Sequence, residues 1–187
     1  DQLGNYDPST YGGSDITDPN VFASVLNATV AALTANGAKG VLMNVPPVKA
    51  IPNLTTVPYN PVPLDAGTAS FVSNAYAVYN GGIQQAFAYL VAVSPMTQEM
   101  ADAEIAKRTI SFAAGQNAVV IMDEDLTDLT AINPGLISMR QATADDLLLL
   151  ASSAFIGTLA DPNNPGSING VAVPLGDQWV LTPQEQL

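Results

Sequence analysis

The sequence predicts an α/β fold, and three adjacent features carry that expectation. Residues 19–36 have apolar side chains at three- and four-residue spacing, Gly37 follows as a stop, and Gly40-Val41-Leu42-Met43-Asn44-Val45 is a short apolar run. The run is too short for a helix and too apolar for a half-exposed strand, so it reads as a buried strand of a parallel sheet. Helix, left-handed turn and buried strand make up half of a βαβ unit.

Each element has a local cause. Asp18-Pro19 supplies an N-cap acceptor and a proline at the first helical position, where its missing N–H costs nothing. Val21, Phe22, Val25, Leu26, Thr29, Val30 and Leu33 then recur on one face. Prolines 46, 47, 52, 58, 61 and 63 forbid a regular helix or central strand over 46–65, which predicts a long, largely extended arm. Asp65 is placed to cap a helix running to about Tyr79, with Phe71, Ala75 and Val78 on one face. Asn80-Gly81-Gly82 is expected to break it before helical spacing resumes over Ile83–Val93. Ser94-Pro95 predicts the start of another helix, to about Arg108.

Beyond it, Thr109–Ala113 and Ala118–Met122 read as two strands around Gly115-Gln116-Asn117. Asp123-Glu124-Asp125-Leu126-Thr127-Asp128-Leu129 reads as a short helix with an acidic first turn. Thr143 and Asp146 have capping-box spacing ahead of an apolar helix through Phe155, and residues 161–170 are turn chemistry. Thr182-Pro183-Gln184-Glu185 announces a helix that would hold only the five residues 183–187. A helix so short does not repay nucleation, so the natural chain is expected to continue.

Composition excludes several chemistries. The 187 residues contain no histidine and no cysteine, which removes histidine-dependent serine hydrolysis, thiol catalysis and conventional zinc sites from the chain on its own. Five Lys and Arg stand against 17 Asp and Glu, a net charge of −12. Such a surface repels nucleic-acid phosphates and anionic lipid, so no nucleic-acid partner is expected. No run nears the roughly 18 apolar residues of a membrane-spanning helix. No cofactor and no metal are expected either. The carboxylates at 123, 124, 125 and 128 lack the glycine that shapes a calcium loop, and Asp161-x-Asn163 with Gly166 lacks a closing glutamate. No serine stands in a Ser-x-x-Lys arrangement. Tyr76 and Tyr79 fit helix spacing into a core better than a sugar-binding surface.

Several stretches together resemble the GDSL/SGNH-type ester hydrolases, nearest to the secreted or lipid-anchored group of Bacteroidota. They are Gly4-Asn5-Tyr6-Asp7, the helix 19–36 with residues 37–46, the proline-rich run Thr55–Asp65, Gly115-Gln116-Asn117, Asp123–Leu129, and Pro174-Leu175-Gly176-Asp177 with Leu181-Thr182-Pro183. The likeness covers most of the chain, and the proline-rich run is its most distinctive part. It implies a three-layer α/β/α fold, flavodoxin-like, and hydrolysis of carboxylic esters through an acyl-serine, with an ester or acylated substrate as partner. It also implies an extracytoplasmic location, with a lipid anchor ahead of Asp1 as a further possibility of the group.

That family carries its nucleophile in a Gly-Asp-Ser block and its base in an Asp-x-x-His block, and neither occurs here. The chain therefore resembles the middle of one longer domain: a core α/β unit over 1–45, a proline-rich arm and helical insertion over 46–117, and remaining α/β elements over 118–187. The resemblance makes it inactive alone, with the missing parts supplied by the rest of the domain or by a partner chain. The candidate site residues are Gly4, Asn5, Tyr6 and Asp7, matching the family's oxyanion-hole turn. The family's asparagine falls on Tyr6, and Asn5 substitutes if the turn is rotated by one residue. Losing one oxyanion donor costs ~2.7–4 kcal/mol of transition-state stabilisation, so the alternative is a non-catalytic surface module that keeps the fold.

Overall fold

A computed structural model describes residues 19–43 and 48–186. The chain divides into two units, 1–47 and 48–187, described here in turn.

In the first unit, helix α1 spans Pro19–Thr34. Gly37, at φ 79°, donates its N–H to the Thr34 carbonyl at 2.9 Å, which is the left-handed stop the sequence announces. The buried strand expected next is absent from residues 40–43. Val41, Leu42 and Met43 have no regular structure and stand exposed, Val41 at 88%. A strand needs a neighbour for its backbone N–H and C=O groups, and no ladder reaches this run. Asp18, Asn44, Val45 and the candidate turn Gly4–Asp7 lie outside the described residues.

The second unit mixes helices with small antiparallel sheets, in keeping with a general α/β class. Its proline-rich arm is more structured than an extended loop. A 3-10 turn at Val48–Ala50 leads into a single helical turn, α2, at Pro52–Thr55, with Pro52 at the first position and Leu54 buried. Strand β1, Val62–Leu64, follows. Pro63 is tolerated because β1 pairs on one side only, antiparallel to β2 (Gly115–Asn117), with Pro63 opposite Gln116.

Asp65 caps α3, Ala66–Ala75, accepting from the Gly67 and Thr68 N–H groups at 2.8 and 2.9 Å. The helix expected through Tyr79 instead breaks at Tyr76, and α4 runs unbroken from Ala77 to Val93 through Asn80-Gly81-Gly82. Tertiary contacts override the glycine pair's weak helix propensity. Asn80 exchanges both side-chain hydrogen bonds with the Ile110 backbone, at 2.8 and 3.0 Å. Gly82 lets Leu136 approach so closely that a Cβ there would lie 2.8 Å from its Cδ2. Phe71 and Val78 face solvent, while Tyr79, Ile83, Ala86 and Phe87 form the buried side of α4. Ser94 ends α4, and Thr97, not Ser94, caps α5 (Gln98–Arg108) by accepting from the Met100 N–H at 3.2 Å.

The strand pairing also departs from expectation. Residues 109–113 form no strand, and the Gly-Gln-Asn turn is itself β2. Asn117 holds that turn through hydrogen bonds to both backbone groups of Ala113, each 2.8 Å. Strand β3, Val120–Met122, pairs antiparallel with β4, Met139–Gln141. On its other side it meets Leu175 in a parallel bridge, with the Met122 N–H 2.8 Å from the Leu175 carbonyl. β5 (Leu147–Leu148) pairs antiparallel with β6 (Val180–Leu181), and a 3-10 helix at Leu150–Ala154 replaces the expected apolar α-helix.

The core lies around Ile83, Phe87, Val119, Val120, Ile121, Leu129, Leu148 and Leu175, all fully buried. Tyr76 and Tyr79 belong to it, edge to face with centroids 6.4 Å apart. Their hydroxyls reach backbone carbonyls, that of Tyr76 the Val171 carbonyl at 2.6 Å and that of Tyr79 those of Ile137 and Met139 at 3.1 and 3.0 Å. The core reading of these tyrosines therefore holds.

Candidate functional site

The most polar constellation among the described residues is built where β3 ends. Asp123, expected in a solvated helix, is buried, and residues 123–129 form turns instead of a helix. The reason is Arg140 on the neighbouring strand β4. Its Nε donates to Asp123, while Nη1 and Nη2 grip Asp146 with two parallel bonds of 2.7 and 2.8 Å. Thr143 and Asp146 do make the reciprocal contact their spacing predicts, with the Thr143 N–H 2.6 Å and its hydroxyl 3.0 Å from Asp146 Oδ2. The carboxylate serves a turn and a guanidinium, however, and no α-helix follows it. Burial alone would lower the Arg140 pKa; hydrogen bonds and charge from Asp146 and Asp123 outweigh it and hold the guanidinium above its ordinary value.

Beside this network lies a cleft of about 240 Å³ whose polar lining includes Lys107, Asp125, Gln141 and Gln184. Nearby in sequence, Glu124 meets Asp177 and Glu185, with carboxylate oxygens within 4.8 Å of one another. Desolvation first, and then the charges of Asp177 and Glu185, push the Glu124 carboxyl up to about 7. Glu185 is held in place by its own capping box, accepting from the Thr182 N–H at 2.7 Å and hydroxyl at 2.9 Å. Three carboxylates suit a hard cation in kind, but calcium or magnesium takes roughly six oxygens, and Glu185 Oε2 is already engaged.

A second, apolar groove of about 280 Å³ runs between the arm and the 3-10 helix. Thr56, Val57, Pro58 and Pro61 line one side, and Leu150 and Ile156 the other. Val57 fixes the arm there by an antiparallel bridge to Leu148.

Nucleophilic catalysis needs a hydroxyl within reach of a base. Among the described residues, the hydroxyl–carboxylate bonds are Thr68–Asp65, Thr130–Asp128, Thr143–Asp146 and Thr182–Glu185, all between residues two or three apart that shape turns or caps. No described serine hydroxyl bonds a lysine or a carboxylate. Ser152 is fully buried with its Oγ unpartnered, out of reach of solvent and substrate. Among the described residues, the polar network pairs its own charges and shapes the turns that follow β3 and β4.

Sequence reading found the Thr143–Asp146 and Thr182–Glu185 pairs by their spacing. It missed Arg140 as the centre of the network and the meeting of Glu124 with Asp177 and Glu185. A lone arginine within the apolar stretch Leu136-Ile137-Ser138-Met139-Arg140 was the available signal for the first. No protein-family model, curated protein or solved structure matches this chain.

Proposed function

We propose that this chain forms the middle of an extracytoplasmic SGNH/GDSL-type carboxylic ester hydrolase. It supplies the scaffold, the turn Gly4-Asn5-Tyr6-Asp7 and an apolar groove. The nucleophile and the Asp–His pair come from blocks that the 187 residues do not contain. The observation that carries the reading is the proline-rich run Thr55–Asp65, the most distinctive part of the family resemblance. Here it forms an arm anchored by Val57 and β1. The groove it lines, at about 280 Å³, is near the lower limit of small-ligand sites and apolar enough for a short acyl chain.

The three-layer α/β/α arrangement belongs to the same proposal. Val41, Leu42 and Met43 are exposed apolar residues directly after a helix and a glycine stop. They gain a reason if neighbouring strands complete a parallel sheet around residues 40–45, because a lone strand has nothing to bond.

A p-nitrophenyl ester assay tests the reading. Residues 1–187 alone turn over no ester above a buffer control, because they contain no imidazole to take the serine proton. The intact gene product turns it over, and replacing the serine of its Gly-Asp-Ser block abolishes the rate. Turnover by the isolated chain would overturn the dependence on an outside base. An inert intact product would favour the second reading, a non-catalytic surface module, which Tyr6 in the family's asparagine position supports.

A further inference from the structure

We draw no further inference here: the strongest candidate, the side-chain cluster in which the carboxylates of Glu124, Asp177 and Glu185 meet, carries nothing, because three carboxylates by themselves name no ligand and nothing else among the described residues marks one there.

Discussion

Two arginines are buried in this protein, and they should respond oppositely to the same substitution. Arg140→Met removes the only cation that, among the described residues, bonds Asp123 and Asp146, whose side chains are 6% and 0% exposed. Both carboxylates would be left inside with no opposite charge, and breaking a buried pair in this way costs ~3–5 kcal/mol. Against a total stability of ~5–15 kcal/mol, that is a large fraction. It corresponds to a fall of roughly 10 °C in melting temperature for a domain of this size. Arg108 is fully buried too, but its Nε and Nη1 have no hydrogen-bond partner. Nη2 donates to the Thr127 carbonyl, Glu104 lies 3.8 Å from Nε, and the Phe87 ring sits 5.7 Å from the guanidinium carbon. Its desolvation is recovered only in part, so Arg108→Met should change stability by no more than ~1 kcal/mol. Urea unfolding followed by circular dichroism measures both, read as midpoint shifts at constant slope. If Arg140→Met proves too unstable to purify, Arg140→Lys, which cannot make the two parallel bonds to Asp146, should still cost ~1–3 kcal/mol. Equal losses for the two methionine variants, or a loss under ~1 kcal/mol at Arg140, would refute the idea that pairing and not mere burial sets the value of these charges.

Two further outcomes follow from the geometry. Glu124 has a folded pKa raised to about 7, so between its unfolded value and 7 the folded state binds more protons than the unfolded one. Stability attributable to Glu124 therefore falls as pH rises through that window. Because the residue is exposed and solvent screens it, the expected loss is only ~1 kcal/mol. Glu124→Gln should remove this slope when urea midpoints are compared at pH 5 and pH 7, and an unchanged slope would exclude a Glu124 carboxyl raised by its partial desolvation and by Asp177 and Glu185. Tyr79→Phe leaves the buried Met139 carbonyl and the Ile137 carbonyl without the phenol and should cost ~1–2 kcal/mol of unfolding free energy in the same assay, with no change in the helical circular dichroism signal.

Local stereochemistry was legible in the amino-acid order, because it depends on residues a few positions apart. Asp65 as a cap, Gly37 as a left-handed stop, the contacts of Thr143 with Asp146 and Thr182 with Glu185, the turns over 161–170 and the burial of Tyr76 and Tyr79 all follow from spacing and side-chain chemistry. Composition alone settled the absence of imidazole and thiol and the surplus of negative charge. What happens between those markers required the tertiary structure. Asn80-Gly81-Gly82 stays helical because Ile110 and Leu136 hold it, and Asp123 leaves solvent because Arg140, 17 residues away, reaches it. Strand partners and charge pairs are decided by which backbone and which ion lie opposite, and those neighbours are brought together by the packed chain.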